Sequence, residues 1–593
     1  MNSEKSAYLR IIHRELNRQG FCRQNTIEDH HYKKTVEIKA ASFPVTIVIS
    51  DPFFVTKPLI LLDRKPDGLP VTTPHLFFDK ALCYLDDRGY EFDRYNPEYN
   101  IKVVLEALSQ LLNSYVEEPD LLQQEIRREL PLYWNSDTSE VTYIASTHSD
   151  ALQFSFYEHL NLKGKSVSEI VIADDSESIS TWISKRNGVV DENAISGPAF
   201  IVNLPDNITF DLNTWPPKSY SDVLTWLNKS KATPARQRFI NKVFMAILEH
   251  HRCIVLFRLL NMHLGCYLSF ASEPSRTVLK EKSRFRGSKK QRGKKVFTAT
   301  EAQKISLITA IERYEKKNGF HRLMILDVRP SQVVTRNLTQ SNSLSDLRIG
   351  LIGCGTLGGY TASLLIQAGA ASGIKEFTLF DPDTLHPENL GRHILGVEYL
   401  GENKAVALAD SLSKQSVTKL CIYPVEKKFS KAEFRESITK FDVLIDTTGD
   451  ITFSTNLCHY MHHNGNAIPV IYGWIDAGGL AARALIDIPD RNSSCYACLK
   501  TRDTFGQLVE RYPLFKPNVE IPSWQPRPCG IGGYLPYSSQ ASVSGAGLVQ
   551  GMALDFANER KTPSFRHISL DQRVISTKDS TPKPLKNCPC CQN

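Results

Sequence analysis

The chain has 593 residues, of which 41% are hydrophobic and 23% charged, and its formal net charge is +7. This length exceeds what one hydrophobic core can organise, so we expect about three or four globular domains and exclude a mainly disordered chain. The apolar runs, such as Cys253 to Leu260, are shorter than the roughly 18 residues that cross a bilayer. The first residues predict an amphipathic charged helix without a signal-peptide core. We therefore expect a cytoplasmic protein with no membrane contact.

Residues 1–118 predict a compact α+β domain. After the first helix come three strand candidates, YKKTVEIKA, FPVTIVIS and PLILLD, and then a loop that contains Cys83. A helix from Asn100 to Tyr115 follows, because Val104, Leu108 and Leu112 recur at helical spacing. Cys83 is the candidate nucleophile of this domain.

Residues 119–335 predict an α/β linker or middle domain whose role we do not assign. Its strand candidates are VTYIAS, EIVIAD and PAFIVNLP, and an apolar helical stretch is expected near Phe239 to Leu260. Nine of the residues from Lys280 to Lys295 are Lys or Arg. Without an aromatic platform or a nucleic-acid-binding motif, this basic loop, 280–295, favours a solvated segment over a nucleic-acid site.

Residues 336–593 alternate between strand and helix patterns from Leu347 onwards, and this rhythm predicts a mostly parallel, doubly wound, Rossmann-like α/β sheet. In LIGCGTLGG a strand runs into Gly353, Gly355 and Gly358. Glycines at a strand-to-helix turn let main-chain N–H groups approach a phosphate chain. The next strand ends at Asp381, which is placed to accept hydrogen bonds from a ribose. A nucleotide site is therefore predicted here.

The segment after Asp381 favours ATP over NAD. It contains Asn389 and Arg392 in the sequence NLGR, and Lys404 follows in GENKAVALAD. A hydride-transferring enzyme has no use for so many phosphate-directed groups. Arg392 and Lys404 can instead offset the charge that builds on phosphates while a carboxylate attacks the α-phosphorus.

Four cysteines predict a structural zinc ion. Cys495 and Cys498 form one Cys-x-x-Cys pair, and Cys588 and Cys591 form another. Four thiolates complete a tetrahedral zinc site and leave no position for water, so this Zn²⁺ would pin the carboxyl terminus to the domain that contains the predicted nucleotide site. Cys590 lies between two of these ligands and is not assigned.

Cys529 is a second candidate nucleophile. It lies in RPCGIGG, whose Pro and Gly content predicts a mobile loop. A nearby Arg527 would favour the thiolate, which can attack an acyl-adenylate.

The motifs of residues 345–593 resemble the ThiF/MoeB and ubiquitin-activating superfamily. The resemblance implies ATP and Mg²⁺ as cofactors, Asp381 as the ribose ligand, Asn389 and Arg392 as triphosphate contacts and Lys404 as the phosphate lysine. It further implies a magnesium-linked aspartate after the next strand. In Asp446-Thr-Thr-Gly-Asp450 strict alignment places Gly449 there, so we predict Asp450 in that role, with Asp446 as the alternative. By the same resemblance Cys529 is the crossover-loop cysteine, Arg336 is the arginine supplied across a dimer, and the chain forms a homodimer through its adenylation domains.

The layout of residues 1–118 resembles ubiquitin-conjugating domains, although the usual His-Pro-Asn is replaced by Pro74-His75-Leu76. The donor that would stabilise an oxyanion is therefore unassigned. A conjugating domain followed by a zinc-stapled adenylation domain resembles the fused activating and conjugating enzymes of bacterial CBASS antiphage operons. That resemblance implies adenylation of the C-terminal tail of a cyclic-oligonucleotide synthase (CD-NTase). Thioesters on Cys529 and then Cys83 would follow, with final transfer to a protein lysine or a small amine.

Three other functions were weighed against this one. A sulfur-carrier activator would use the adenylation domain alone, with the N-terminal domain as a docking unit. A non-catalytic nucleotide-binding adaptor is disfavoured by the complete set of Asp381, Asn389, Arg392 and Lys404. An NAD-dependent dehydrogenase explains neither the zinc cysteines nor the NLGR segment.

Overall fold

The structure of the chain is a computed structural model. It describes residues 2–591 except 25–29, 78–79, 86–89, 136–139, 148–150, 190–194, 271–318, 340–341, 417–418, 431, 433–434, 437–438, 464–467, 477, 490–492 and 521–535. Among the described residues, no helix is both long and apolar enough to cross a membrane.

The N-terminal unit is an antiparallel four-stranded sheet, in the order β1-β2-β3-β4, covered by helices. Its elements are α1 Asn2–Arg18, β1 Cys22–Gln24, β2 His30–Ile38, β3 Ala41–Ile49, β4 Leu59–Leu62, α2 Pro97–Glu117, α3 Pro119–Arg128 and α4 Leu130–Asn135. Helix α2 begins after Asn96, whose side chain accepts from Tyr99 N, and its apolar stripe buries Val104, Leu108 and Leu112. The predicted strands and long helix of this unit are therefore present.

The middle region is a closed seven-stranded barrel with strand order β10-β11-β5-β7-β6-β8-β9. Its elements are β5 Val141–Ile144, β6 Leu152–Leu160, β7 Ser166–Ala173, α5 Ser176–Lys185, β8 Ser196–Asn203, α6 Tyr220–Lys229, α7 Thr233–Glu249, β9 Arg252–Leu259, β10 Met262–Ser269 and β11 Gly319–Asp327. Barrel closure depends on β11 pairing in parallel with β5.

The apolar helix expected near Phe239 to Leu260 was wrong in its second half. Helix α7 ends at Glu249, and Arg252–Leu259 is strand β9. His251 between them has a positive φ of 57°, which stops a right-handed helix. The β-branched Ile254 and Val255 then favour a strand.

The barrel and the N-terminal unit share one hydrophobic core. Trp134, at the end of α4, is fully buried and donates from Nε1 to the carbonyl of Gly265 in β10 at 2.7 Å. Arg322 of β11 donates to the Trp134 carbonyl at 2.9 Å. The helix is thus fixed to the barrel by packing and by two hydrogen bonds. The domain boundaries at residues 118 and 335 remain predictions.

The C-terminal unit is built on a seven-stranded sheet in the order β14-β13-β12-β15-β16-β17-β20. Its elements are α8 Pro330–Arg336, β12 Ile349–Ile352, α9 Thr356–Gln367, β13 Phe377–Phe380, α10 Lys404–Gln415, β14 Ile422–Val425, β15 Val443–Asp446, α11 Ile451–His463, β16 Val470–Asp476, β17 Ala481–Asp487, β18 Lys500–Arg502, β19 Leu508–Glu510, α12 Ser539–Ala557 and β20 Phe565–Ser569. The first five strands pair in parallel and the last two antiparallel. This confirms the predicted doubly wound sheet.

The central strand β12 lies between β13 and β15, so the connections leave it in opposite directions. A crevice forms outside the carboxyl ends of the strands at such a switch point, and ligands of open α/β sheets bind there. Gly353, Asp381 and Asp446 stand at the ends of these three strands. The fold therefore brings the predicted nucleotide residues to one edge.

Candidate active sites and cysteine cluster

The glycine loop between β12 and α9 is closely packed on one side and open on the other. Gly353 has a positive φ of 90°, and a Cβ there would lie 3.0 Å from the Thr448 backbone. A Cβ on Gly358 would lie 1.8 Å from Gly353 O. A Cβ on Gly355, the N-cap of α9, would meet no atom within 4 Å. The open side therefore exposes the helix N-terminus, which suits a phosphate.

Asp381 braces this loop. Its Oδ2 accepts from Cys354 N at 2.6 Å, and its Oδ1 accepts from Asp383 N at 2.8 Å. The side chain is buried, and desolvation raises its pKa in spite of these two bonds. Asp381 thus joins the glycine loop to the segment that leads to Lys404.

Lys404 is the first residue of α10, and its position depends on Asp383. Lys404 N donates to Asp383 O at 2.9 Å, and Lys404 Nζ lies 3.3 Å from Asp383 Oδ2. Asn403 caps the helix by accepting from Ala405 N, and its amide donates to Asp381 O at 2.9 Å. The lysine side chain is only 11% exposed. A phosphate bound in the crevice would take the place of the exposed Asp383 carboxylate as the partner of Lys404 Nζ.

Asn389 and Arg392 lie in the turn between β13 and α10. The Asn389 side chain accepts from His386 N at 3.0 Å, which closes the turn. The Arg392 guanidinium stacks 4.7 Å from the ring centroid of Tyr537. Its Nε is buried without a hydrogen-bond partner within the described residues, so it can donate to an anion.

The two candidate aspartates differ sharply in environment. Asp446 is buried and accepts from Thr448 N, Thr448 Oγ1 and Ser454 Oγ at 3.0, 2.8 and 2.5 Å. Burial raises its pKa. Asp450 is exposed, and its Oδ1 accepts from Phe453 N at 3.0 Å. Only Asp450 presents a carboxylate to solvent.

Two supporting residues were not found from the sequence. Thr447 Oγ1 donates to Gly353 O at 2.7 Å. His393 Nδ1 accepts from Leu395 N, so its Nε2 donates to Cys354 O at 2.9 Å. Burial lowers the pKa of His393 and keeps this tautomer neutral. Both residues hold main-chain carbonyls of the glycine loop. Their signal in the sequence is position alone, because His393 follows Arg392 and Thr447 follows Asp446.

The four predicted zinc cysteines come together. The sulfur atoms of Cys495, Cys498, Cys588 and Cys591 all lie within 4.8 Å of one another. The separations of Cys495 from Cys498 and Cys588, and of Cys498 from Cys591, are 3.7, 3.6 and 3.5 Å. A tetrahedron with Zn–S bonds of about 2.3 Å has sulfur–sulfur edges of about 3.8 Å. The donor set therefore fits zinc.

Cys83 lines a cavity of about 590 Å³ with His75, Glu125 and Glu129. Cys83 N donates to His75 O at 2.8 Å. The His75 ring lies between the two carboxylates, with Nδ1 at 3.0 Å from Glu129 and Nε2 at 3.5 Å from Glu125. Both glutamates come from the α3 region, beyond the predicted end of this domain. The candidate nucleophile thus faces a cavity that holds Lys57 and His75 as well as two glutamates.

The charges of His75 and Glu129 stabilise each other. The close contact between the His75 ring and the Glu129 carboxylate raises the pKa of His75. Burial opposes ionisation of Glu129, yet bonds from His75 and Tyr133 hold the pKa of Glu129 below its ordinary value. His75 also has a positive φ of 60°, and its N–H donates to Tyr133 Oη at 2.9 Å. The ring of His75 is therefore held next to α3 by its contacts with the two glutamates, and its main chain is held there by the bond to Tyr133.

Other predicted features are placed differently. Cys529 and the basic loop 280–295 lie outside the described residues. Arg336 is exposed at the end of α8, separate from the groups described above. Tyr537, eight positions after Cys529 in the sequence, is described and contacts Arg392.

Comparisons with known proteins agree with this architecture. The ThiF family matches residues 331–522, and the prokaryotic E2 family B matches residues 8–142. An ATP-dependent ubiquitin transferase-like protein, Cap2, from Pseudomonas aeruginosa is 27% identical over 92% of this chain and 91% of its own length. The Escherichia coli protein of the same name is 25% identical over 98% and 96%, respectively. The resemblance to bacterial fused CBASS enzymes is thereby confirmed.

Among solved structures, Escherichia coli MccB with MccA-N7isoASN matches at 14% identity and a TM-score of 0.33, covering 58% of this chain and 99% of that one. The two family matches, independently of this structure, place a ThiF-type adenylation domain and an E2-type domain in the chain.

Proposed function

The chain is a ubiquitin-activating and ubiquitin-conjugating-like transferase that uses ATP, and from this premise we propose its reaction sequence. It adenylates the C-terminal carboxylate of a partner protein, carries the acyl group on Cys529 and then Cys83, and transfers it to an amine. By resemblance the partner is a CD-NTase of antiphage defence. The observation that carries the proposal is that the chain has a nucleotide crevice and, in addition, a cavity lined by Cys83 and His75.

In the first step a carboxylate oxygen of the substrate attacks the α-phosphorus of ATP, and the bond to the bridging oxygen of pyrophosphate breaks. Lys404, Arg392 and the exposed N-terminus of α9 would offset the negative charge on the phosphates. Among the residues that the structure describes, none accepts a hydrogen bond from Arg392 Nε, which supports this role. Asn389 and Asp381 contribute by shaping the turn and bracing the loop.

Asp450 is the better candidate for the Mg²⁺-linked carboxylate. Its side chain is exposed at the edge where the glycine loop ends, whereas Asp446 is enclosed and accepts three hydrogen bonds. Mg²⁺ prefers oxygen ligands and retains several waters, and it would neutralise charge on the phosphates. Asp446 then serves as a structural acceptor at the start of α11.

In the next steps the Cys529 thiolate attacks the acyl carbonyl and AMP leaves, and the Cys83 thiolate then displaces Cys529. An amine finally attacks the thioester at Cys83, loses a proton and releases the thiolate. The acceptor amine would enter the cavity at Cys83, where the carboxylates of Glu125 and Glu129 would accept its N–H groups. This matches a protein lysine or a small amine as the acceptor.

The zinc ion is assigned a structural role. Cys495, Cys498, Cys588 and Cys591 provide a complete donor set, which leaves no open position. It would join the C-terminal residues to the segment after β17. The homodimer, the cytoplasmic location and the domain limits of 1–118, 119–335 and 336–593 complete the proposal.

Trapping of the acyl-enzyme tests the sequence of steps. The protein is incubated with ATP, Mg²⁺ and a candidate C-terminal donor, and thioesters are followed on non-reducing gels. Cys529→Ala should abolish the dithiothreitol-sensitive adduct. Cys83→Ala should retain it at Cys529 and lose the final conjugate. Cys22→Ala, an exposed cysteine of the same N-terminal unit, is the matched control and should behave as wild type.

A sulfur-carrier-type activator gives a different pattern. Pyrophosphate would be released with no acyl group on either cysteine, and Cys83→Ala would leave activity intact. That result would refute the conjugation steps while retaining adenylation. Failure to release pyrophosphate with any carboxylate donor would instead favour a nucleotide-binding adaptor.

A further inference from the structure

A second cluster of metal-binding side chains adjoins the four zinc cysteines. Cys458, His462, Cys495 and Cys590 each place a ligand atom within 4.8 Å of the others. Three of these residues lie outside the predicted zinc set, and Cys495 belongs to both clusters. Cys458, Cys495 and Cys590 are at most 5% exposed, and the His462 side chain is 10% exposed.

The secondary structure explains why these groups converge. Cys458 and His462 are four residues apart on α11 and so lie on one face of the helix. Cys590 lies in the C-terminal Cys-x-x-Cys turn, between Cys588 and Cys591, and its sulfur is 3.3 Å from that of Cys458. The residue between two zinc ligands therefore faces α11, towards a separate pair of donors.

Asp487 supports the cluster as an outer carboxylate does in metal sites. Its Oδ1 lies 2.9 Å from His462 Nε2, and its Oδ2 accepts from Tyr496 N at 3.2 Å. Cys458 Sγ is 3.6 Å from the same Oδ2. A carboxylate bonded to an imidazole fixes the ring and raises its basicity as a ligand.

We propose that Cys458, His462, Cys590 and a bridging Cys495 bind a second Zn²⁺ ion. Sulfur and imidazole donors select zinc among the common divalent ions, and both ions then have four protein ligands. Binding displaces the thiol protons of Cys458 and Cys590 to solvent and involves no change of oxidation state. The second ion fastens α11 to the C-terminal turn, whereas the first fastens that turn to the segment after β17.

Zinc analysis of the full-length protein tests this site without reference to activity. Protein produced in zinc-supplemented medium and dialysed against metal-free buffer should contain two zinc ions per chain by mass spectrometry. Cys458→Ser and His462→Gln should each contain one. Cys421→Ser changes a cysteine of the same domain outside both clusters and should keep two. One zinc per wild-type chain, unchanged by Cys458→Ser, would overturn the proposal.

Cobalt substitution of the wild-type protein gives an answer even if the variants fail to fold. Two Co²⁺ ions that share the Cys495 thiolate are magnetically coupled. The electron paramagnetic resonance signal should therefore grow up to one equivalent of Co²⁺ and fall as the second is added. Saturation of the thiolate-to-cobalt absorption at one equivalent would show that Cys458 and Cys590 are hydrogen-bonded thiols and would refute the second site.

Discussion

Arg392 stacks on Tyr537, with 4.7 Å between the guanidinium carbon and the ring centroid. This contact joins the turn that carries the phosphate-directed residues to the chain just after the segment that contains Cys529. A cation over an aromatic face is stabilised by about 0.5–2 kcal/mol. The ring thus holds the guanidinium while Nε stays available to an anion.

Tyr537→Leu should therefore slow adenylation, because the guanidinium loses its platform. We expect kcat/KM for ATP–pyrophosphate exchange to fall about 3- to 30-fold, the range that corresponds to the cation–π energy. Tyr537→Phe keeps the aromatic face and should stay within about 2-fold of wild type. Equal losses in both variants would show that the hydroxyl, not the ring, is important.

Substitution of Asp450 should reduce catalysis, whereas substitution of Asp446 should reduce the stability of the fold. Asp450→Asn should lower pyrophosphate exchange at least about 10-fold, as removal of metal-site groups does, while the melting temperature stays the same. Asp446→Asn places an amide where three donors point, which should reduce the free energy of unfolding by about 1–3 kcal/mol. Exchange assays at saturating Mg²⁺ and thermal melts distinguish them. Loss of exchange activity at unchanged stability in Asp446→Asn, with Asp450→Asn fully active, would assign magnesium to Asp446.

The sequence predicted the C-terminal sheet and the zinc cysteines well, because each has a local signal. Strands β12, β13 and β15 are short apolar runs next to polar ends, and Cys-x-x-Cys spacing is itself a ligand pattern. The choice between Asp446 and Asp450 had no such signal. Burial and bonding partners distinguish their environments, and neither can be read from residue order.

The barrel could not be predicted because its closure is non-local. Strand β11 pairs with β5 across about 180 residues, for example Met324 with Val141. Likewise Glu125 in α3 and Glu129 just after it, which line the cavity of Cys83, lie beyond residue 118, the predicted end of that domain. Their contact with His75 depends on the packing of α3 against α2, not on a motif.

Lys185, at the end of α5 in the barrel region, should stabilise the adenylation domain through contacts with helix α10. Its Nζ donates to the carbonyls of Ser413 and Ser416 at 3.1 and 2.7 Å, at the end of helix α10, which begins with Lys404. A cation at a helix C-terminus contributes about 0.3–1 kcal/mol. Lys185→Met should lower the melting temperature and raise KM for ATP. The exposed Lys419–Glu177 pair provides the control: Lys419→Met should change neither quantity.

The His75–Glu129 pair should make stability depend on pH. The pKa of His75 is raised in the folded state, so its contribution is fully present below the unfolded pKa of about 6.5 and is lost as pH rises through the folded pKa. His75→Asn keeps a residue that tolerates positive φ. The difference in unfolding midpoint between wild type and variant should be larger at pH 6 than at pH 9. A pH-independent difference would show that the imidazolium charge has no part in it.

Alanine substitutions at Gly355 and Gly358, two glycines of the same loop, should have different effects on stability. A methyl group on Gly358 would collide with Gly353 O and lie 2.8 Å from Thr447 Oγ1, so Gly358→Ala should destabilise the domain by about 1–3 kcal/mol or more. Gly355 has an ordinary φ of −68° and open space at its Cβ, so Gly355→Ala should cost at most about 1 kcal/mol of helix capping.

ATP binding should distinguish the same two substitutions. The methyl group that Gly355→Ala adds projects into the side of the loop that we assign to phosphate. Because it blocks the approach of phosphate to the main chain, it should weaken ATP binding, measured by calorimetry, about 10-fold or more. The melting temperature of Gly355→Ala without nucleotide should stay close to that of wild type, while its increase on adding ATP should shrink. An unchanged ATP affinity would move the phosphates away from this loop and contradict the assignment of the crevice.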